Sequence, residues 1–481
     1  MNKRVPLTPF LVTTLFVLVS YRELQPFVKW EELVGVWGLS LLIAGAIYWL
    51  VRRFVPEQPR AGLLATLLIM FICFYGDFDG RLKKLVSWCG LPELARARYL
   101  APVLLAAFVG TAWGILRAPW PVGRVKEVLR VFVGGMVVAT VLLNHLYPSK
   151  FISRRDRPRE VDEHGPFIRT NNRPDIYFIV LDAYTSAENL QRFWGHDNTP
   201  FTSFLESNGF FVVRNAGANY DQTPRCMASA LNMAHITQPP ADLSPYGRVN
   251  RMYEIIDRAA APRKLQEIGY EIINLSLFDL AGQEQHYRLP FLDYVSLSGL
   301  MLQKSLYGYA DSWWQKRRLV DVHFDVLARV KQLAAEPAPA PRFIYAHILA
   351  PHWPYFFNRQ GRRPDPVFNG DTAQDYLEQL LYVNQLVTNL VMEIRSKSKE
   401  PHVIIIQGDH GYRALSADNQ REGASRILNA YHLPGGRREW LHDGITPVNT
   451  FRMLFNQYFG AHYPLLPDTF HAKSETLPAR Y

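Results

Sequence analysis

The chain has 481 residues, a formal net charge of +10 and 48% hydrophobic residues, so it is too long to form one ordinary domain. Its three cysteines exclude a disulfide framework, because they are few and odd in number and cannot cross-link a chain of this size. The positive charge is consistent with a protein at a membrane surface. It does not indicate nucleic-acid binding, since no basic helix or stacking motif accompanies it.

Apolar runs separated by loops rich in Arg and Lys dominate the first part of the chain. They predict five membrane-spanning helices, at about residues 7–21, 33–51, 61–76, 99–116 and 128–146. The first and third runs are short for a span, so a count one lower or one higher stays open. The first run is not expected to be a cleaved signal peptide, because Tyr21, Arg22 and Glu23 follow it in place of small residues. The distribution of Lys and Arg does not decide the orientation.

A polar segment separates this part from the rest of the chain. We expect a transmembrane domain at 1–148, a basic linker at 149–174 and a catalytic domain at 175–481. The linker is rich in Arg and Asp and contains three prolines, which is typical of an exposed, extended segment. Its basic half, residues 150–159, could rest on anionic lipid headgroups, and a solvated charged linker is the alternative.

Two later apolar runs end in side chains that suit metal binding. Residues 176–181 lead into Asp182, and residues 403–406 lead into a Gly-Asp-His-Gly corner that carries Asp409 and His410. Open α/β sheets bind ligands outside the carboxyl ends of their strands. Carboxylate oxygens and imidazole nitrogens suit Zn or Mn. Each position also has a structural alternative: Asp182 as a helix cap, and Asp409 with His410 as a turn or cap.

Between these runs, Thr223 precedes Pro224 and a series of good helix formers, which predicts a helix with Thr223 as its N-cap. A helix N-terminus also favours a bound phosphate or sulfate. A hydroxyl placed there and facing a metal is expected to act as a nucleophile. Cys226 is a weaker candidate nucleophile, because no base is adjacent in the sequence and small buried cysteines are common on helices.

The remaining sequence alternates between strand and helix patterns. Strands are expected at 210–216, 270–276 and 343–349, and a helix with one buried face at 375–397. This alternation indicates an α/β, doubly wound, largely parallel sheet.

Together these residues resemble the alkaline phosphatase superfamily in its sulfatase-like branch, and most of all its membrane-bound lipoteichoic acid synthases and phosphoethanolamine transferases. The resemblance extends over about residues 173–460. It implies an N-terminal α-helical transmembrane bundle followed by the doubly wound catalytic domain. It further implies that Asp182, Thr223, Asp409 and His410 ligate one divalent metal, and that Thr223 carries the transferred group covalently. His352, in the segment YAHILAPHWPYFF, matches a histidine that contacts substrate in this family.

The chain departs from the family pattern in two respects. Its first acid is Asp182, where lipoteichoic acid synthases carry Glu. Its segment from Thr223 to Cys226 lacks the sulfatase signature of Cys or Ser, any residue, Pro, any residue and Arg, and Thr cannot become formylglycine. No clear second ligand set for a two-zinc site is predicted, and His347, His432 and His442 are expected to be structural.

The resulting functional hypothesis is a membrane-anchored, metal-dependent transferase or hydrolase. It would act on phosphodiester or phosphate-type esters of envelope lipids or glycans through Thr223. His352 would steady phosphoryl oxygens or protonate the leaving group. The metal is expected to be Mn or Zn, with Mg possible.

Two other classes of function stay open. One is a sulfatase or a phosphodiesterase that releases its product to water. The other is an inactive membrane scaffold that retains the fold. The expected location is a bacterial-type inner membrane, crossed several times, with the catalytic domain outside the cytoplasm. The lipid bilayer is the expected partner, and no nucleic acid is expected to bind.

Overall fold

The chain divides into two compact units. The computed structural model describes residues 6–91, 94–95, 97–117, 119, 122–146, 173–236, 243–287, 296–362, 372–398, 401–436 and 438–471. One compact unit contains Met1–Ser153, Pro240–Asn250 and Pro290–Trp314, and the other contains Arg154–Pro239, Arg251–Leu289 and Gln315–Tyr481. The predicted linker lies outside the described residues, apart from its last two positions.

Six helices make up the N-terminal part of the first unit. They are α1 (Thr8–Leu24), α2 (Trp30–Phe54), α3 (Gln58–Cys73), α4 (Tyr75–Trp88), α5 (Ala97–Arg117) and α6 (Val122–Leu146). Helix α1 packs against α2, α3 and α6. The small core between them is formed by Val12, Leu15, Ala44, Ile69 and Val133.

The outer surfaces of these helices are apolar. Leu42 on α2 is 73% exposed and Val128 on α6 is 71% exposed, and so much exposed apolar surface is typical of contact with lipid. Among the described residues, α2, α5 and α6 are long and apolar enough to cross a membrane. The pair α3 and α4, bent by 67°, makes a fourth if it is one span. The predicted membrane helices are therefore confirmed, while the count of five spans stays a prediction.

The second unit is built on one six-stranded sheet. Its strands are β1 (Asp175–Leu181), β2 (Phe211–Val212), β3 (Glu271–Leu275), β4 (Arg342–Ile348), β5 (His402–Gly408) and β6 (Asn429–His432). Their order is β2-β6-β5-β1-β4-β3. Strand β1 pairs in parallel with β4 and β5, and β3 pairs in parallel with β4, whereas β6 and β2 add an antiparallel edge. The predicted doubly wound, largely parallel sheet is confirmed.

The strand predicted at 210–216 is much shorter than expected. Only Phe211 and Val212 join the sheet, at its edge, where they pair with Tyr431 and Ala430. A turn at residues 214–215 then leads the chain away from the edge. The apolar pattern predicts the strand, but it does not reveal where an edge strand stops pairing.

Ten further helices follow β1 among the described residues. They are α7 (Ala187–Trp194), α8 (Thr199–Ser207), α9 (Thr223–Asn232), α10 (Pro245–Asp257), α11 (Ala260–Glu267), α12 (Leu297–Lys304), α13 (Leu306–Ala335), α14 (Ala373–Lys397), α15 (Ala417–Ser425) and α16 (Thr450–Phe459). Helix α14 confirms the helix predicted at 375–397. It begins with a capping box between Thr372 and Asp375, and it buries one face that includes Leu380 and Leu390.

Helix α12 and the start of α10 belong to the first unit, although both fall within the range predicted as catalytic domain. Helix α12 packs against α1, α2, α3 and α4. The backbone N–H of Leu297 donates to Glu32 Oε1 at 2.8 Å, and the Ser244 hydroxyl donates to the Glu23 carbonyl. Periodicity identifies such short helices but does not say on which unit they pack.

At the amino end of the sheet, a buried ion pair joins β1 to β4. The Asp175 carboxylate accepts hydrogen bonds from the Arg342 backbone N–H at 2.7 Å, from Nε at 3.1 Å and from Nη2 at 2.7 Å. The next pair in the register is Ile176 with Phe343. This bidentate contact therefore fixes the register of the two strands.

Candidate active site

The carboxyl ends of the three central strands meet at one edge of the sheet. Because β1 lies between β4 and β5, its residue Val180 pairs with His347 on one side and Gln407 on the other. Asp182 follows β1, and its backbone N–H donates to the Ile348 carbonyl at 2.9 Å. The Ala183 N–H donates to Asp409 Oδ1, also at 2.9 Å. The segments that follow all three strands are thereby brought together.

Helix α9, which begins at Thr223, places this residue at the same edge of the sheet. Its Oγ1 lies 3.4 Å from Asp182 Oδ1 and 3.3 Å from His410 Nε2. The prediction that Thr223 is the N-cap is wrong: Gln222 occupies that position, in an extended conformation and without a side-chain cap. Thr223 is the first helical residue, and its hydroxyl faces the acidic and imidazole groups instead of the helix amides.

These side chains form a cluster that could hold a cation. Ligand atoms of Asp182, His352 and His410 all lie within 4.8 Å of one another. Asp409 Oδ2 lies 3.6 Å from His410 Nε2 and is buried without a hydrogen-bond partner. A buried carboxylate oxygen without a partner is costly, so a cation beside it is a good fit. The geometry adds His352, which was predicted as a substrate contact, to the possible ligands.

Hydrogen bonds to carbonyl groups fix the tautomers of two histidines. His410 Nδ1 lies 2.8 Å from the Gly411 carbonyl, and His352 Nδ1 lies 2.5 Å from the Trp353 carbonyl. A carbonyl only accepts, so each Nδ1 carries the proton and each Nε2 offers a lone pair. The His410 lone pair is directed at the cluster, and the His352 lone pair accepts from Arg413 Nη2 at 2.9 Å.

The electrostatics of the cluster favour ligand-competent protonation states. Burial raises the pKa of Asp182, but the neighbouring His352, His347 and His410 outweigh burial and hold that pKa below its usual range. Burial, with a contribution from the Asp182 charge, raises the pKa of Asp409 to about 6. Burial also lowers the pKa of His410 to about 4, and Arg413 acts in the same direction. Near neutral pH the cluster therefore presents carboxylates and neutral imidazole.

Close backbone packing holds the corner that carries Asp409 and His410. A Cβ at Gly411 would lie 2.1 Å from the Gly423 carbonyl oxygen and 2.4 Å from that of Arg426. Only glycine fits such a close approach. Gly411 is therefore a packing requirement in the same corner that supplies the candidate ligands Asp409 and His410.

The corner that carries His352 is held from the opposite side by His323 on α13. His323 Nδ1 donates to the Leu319 carbonyl, 2.5 Å away, and its Nε2 accepts the Ala350 backbone N–H at 2.8 Å. Burial lowers the pKa of His323 to about 4, so this imidazole is neutral. His323 is not among the predicted site residues, because a lone histidine on a helix gives no signal of this contact.

Two other side chains lie at the site although they were not predicted to belong to it. Arg413 lies three residues after His410, and its position in the same loop was the only available signal. His347 was expected to be structural, yet its Nε2 lies 3.5 Å from Asp182 Oδ2, while its Nδ1 lies 2.8 Å from the Tyr345 hydroxyl. It therefore belongs to the surroundings of the cluster.

The remaining candidates lie in other contacts. His442 pairs with Asp468 at 2.7 Å, and His432 stacks on His402 with ring centroids 5.5 Å apart. Cys226 is buried, its thiol donates to the Tyr220 carbonyl at 3.3 Å, and burial raises its pKa. A buried thiol with a raised pKa is a poor nucleophile, so the preference for Thr223 over Cys226 is supported.

The fold and the cluster define a class: an α/β enzyme domain with a candidate metal site, in a chain that also carries apolar membrane helices. Residues 265–452 match the family model described as Sulfatase, so the chain carries a sulfatase-family domain. The predicted alkaline phosphatase superfamily and the predicted enzyme class are thereby confirmed. The matched range includes His352, Asp409 and His410, but not Asp182 or Thr223.

Similar solved structures include both transferases and sulfatases. The C-terminal periplasmic domain of EcEptC from Escherichia coli, in complex with Zn, is 13% identical, and the match covers 62% of this chain and 85% of that one, with a TM-score of 0.39. The soluble domain of lipooligosaccharide phosphoethanolamine transferase A from Neisseria meningitidis is 13% identical, with 60% and 83% covered and a TM-score of 0.34.

A putative sulfatase from Bacteroides thetaiotaomicron is 12% identical, with 61% and 72% covered and a TM-score of 0.37. These TM-scores are all below 0.5, so the family model alone supports the class. No curated protein matches the sequence.

Proposed function

We propose that this protein is a membrane-anchored, metal-dependent enzyme that transfers or hydrolyses phosphate-type ester groups of envelope lipids or glycans. The observation that carries the proposal is the position of Thr223 Oγ1, within 3.4 Å of both Asp182 Oδ1 and His410 Nε2. The catalytic domain would lie outside the cytoplasm, on a bacterial-type inner membrane crossed by the apolar helices.

The residues present suit one divalent metal ion, since they offer carboxylate oxygens, a neutral imidazole and a hydroxyl around a buried, unpaired oxygen. Asp182, Asp409, His410 and Thr223 would hold it, and Zn or Mn is expected, with Mg possible. When bound, the ion would supply positive charge that lowers the pKa of the Thr223 hydroxyl and neutralises ester oxygens.

The protein groups account for the remaining steps. Thr223 gives up its hydroxyl proton to solvent and its Oγ1 attacks phosphorus, so that a new O–P bond forms, the bond to the leaving alcohol breaks, and the leaving oxygen takes a proton from solvent. The N-terminal end of α9 places positive dipole charge beside the transferred group. An acceptor hydroxyl or water then loses its proton, attacks the same phosphorus, and releases Thr223, whose Oγ1 is protonated again. His352, whose ring centroid lies 6.0 Å from that of His410, lies beside the same space, and its Nε2 lone pair would accept a hydrogen bond from that acceptor hydroxyl or water.

Hydrolysis of a sulfuric ester is the second candidate, because the matched family model is described as Sulfatase. Sulfatases of that type use an aldehyde made from Cys or Ser in a fixed spacing to Pro and Arg. Here Pro224 follows Thr223 directly, and a threonine side chain cannot give that aldehyde. Phosphoryl transfer is therefore the better fit to the nucleophile.

The test is intact-mass analysis of the full chain in detergent, loaded with Zn or Mn and incubated with labelled phospholipids. The wild type should gain the mass of a headgroup phosphate, and Thr223→Ala should gain none. Added acceptor alcohols then separate transfer from release to water, and an aryl sulfate tests the second candidate. Equal labelling of wild type and Thr223→Ala would overturn the proposal. A purified protein that neither binds metal nor turns over any ester would favour the inactive scaffold.

A further inference from the structure

Arg413 places a positive charge beside the candidate site. Its side chain is half-buried. Nη1 donates to the Asp221 backbone carbonyl at 3.1 Å, and Nη2 donates to His352 Nε2 at 2.9 Å. Within the described part of the chain, no carboxylate forms an ion pair with it. A half-buried guanidinium held by a carbonyl and an imidazole is a ready contact for an anion.

The charge of Arg413 is directed toward the cluster. Its Nη2 donates to His352, which is one of the three residues of the candidate metal cluster. The guanidinium has five N–H donors, and two of them make the hydrogen bonds described above. Within the described ranges the others make no hydrogen bond, so they are available to a ligand.

The contact with His352 also determines what that histidine can do. Its Nδ1–H is held by the Trp353 carbonyl and its Nε2 lone pair by Arg413, so both nitrogens are occupied. In this arrangement His352 can neither donate a proton to a substrate nor accept one from it. A change of partner at Arg413 is therefore needed before His352 can take part in a reaction.

We propose that Arg413 binds a non-bridging oxygen of the substrate's tetrahedral anionic ester, and that this exchange of partners frees His352 Nε2. The inference rests on the proposed function and deepens it by assigning the anion contact. The exchange moves hydrogen bonds only, and no covalent bond changes. The freed lone pair then accepts a hydrogen bond from the acceptor hydroxyl or water. Arg413 thus couples the arrival of substrate to the availability of His352.

The first experiment measures anion binding by calorimetry on metal-loaded, full-length protein in detergent, with inorganic phosphate and sulfate as probes. Arg413→Gln should weaken phosphate binding by about tenfold to a hundredfold, the range for a lost hydrogen bond to a charged group. Arg413→Lys, which keeps the charge without the planar fork, should recover part of it. Arg421→Gln, on the exposed face of α15, is the matched control for loss of one positive charge. Metal content and thermal unfolding are measured for every variant.

The second measurement is the reactivity of His352 toward diethyl pyrocarbonate in the absence of anions, located by peptide mass spectrometry. Removal of the Arg413 donor exposes the Nε2 lone pair, so Arg413→Gln should be modified faster than wild type and Arg421→Gln at the wild-type rate. A purely structural role for Arg413 would not produce this difference in a folded, metal-loaded variant.

The outcomes separate this inference from the proposed function. Equal anion affinities in wild type and Arg413→Gln, or a wild type that binds neither anion, would overturn the role of Arg413. Equal modification of His352 in the two proteins would overturn the exchange of partners. A wild type that binds sulfate far better than phosphate, with the loss still seen in Arg413→Gln, would support Arg413 and count against phosphoryl transfer.

Discussion

Substitution of Thr223 separates its chemical role from any structural one. Thr223 makes no cap hydrogen bond, because Gln222 is the N-cap, and its hydroxyl contacts are long, at 3.3 Å and 3.4 Å. Thr223→Ala should therefore destabilise the protein by less than about 1 kcal/mol, the usual cost of a lost cap. For a unit of this size that is a shift in Tm of at most about 4 °C. Turnover should fall by about 10⁴-fold or more, because the covalent step is lost.

The assay compares turnover, metal content and thermal unfolding of wild type with the Ala, Ser and Asp variants at Thr223. Thr223→Ser keeps a hydroxyl and should keep measurable turnover. Thr223→Asp introduces a carboxylate near Asp182 but no hydroxyl, and should keep none. An active, metal-loaded Thr223→Asp protein would refute the nucleophile assignment. Loss of metal in Thr223→Ala would instead identify the hydroxyl as an essential ligand.

Three further predictions concern metal, stability and pH. Asp409→Asn and His410→Ala should each weaken metal binding by about 100-fold or more, measured by elemental analysis after dialysis. Asp175→Asn leaves the buried Arg342 guanidinium poorly compensated and should cost roughly 3 kcal/mol in thermal unfolding. The pKa of His323 is lowered by burial from 6.5 to about 4, so the unfolded chain takes up the proton first as pH falls. Up to about 3 kcal/mol of stability should be lost between those values, and His323→Gln should lessen that loss.

Stoichiometric metal in both ligand variants would show that Asp409 and His410 are not ligands. The exposed pair of Arg359 with Glu378 is the control for the ion pair, since Arg359→Gln should cost less than about 1 kcal/mol. If Asp175→Asn costs no more than that, the buried pair does not stabilise the sheet. An unchanged pH dependence in His323→Gln would mean that other groups set the acid limit.

Much of the site could be predicted because short apolar runs followed by polar corners mark strand ends. Asp182, Asp409 and His410 follow directly from that pattern, and the parallel sheet explains why they meet. Arg413 and His323 could not be predicted, because neither residue directly follows an apolar run, so no sequence pattern marks the contacts that they make. His323 reaches Ala350 from a neighbouring helix. The packing of α12 on the N-terminal helices was missed for the same reason.

The ends of the neighbouring strands β1 and β5 are joined by a hydrogen bond from the Ala183 backbone N–H to the Asp409 carboxylate. These two residues are separated by 226 positions in the chain. At the usual pace of synthesis, this interval corresponds to roughly 10–45 s. During that time Asp182, and later Thr223, exist without Asp409 and His410. Under the proposed ligand set, a nascent or prematurely ended chain would lack two of the four metal ligands, and metal loading would become a late step that reports completion of β5.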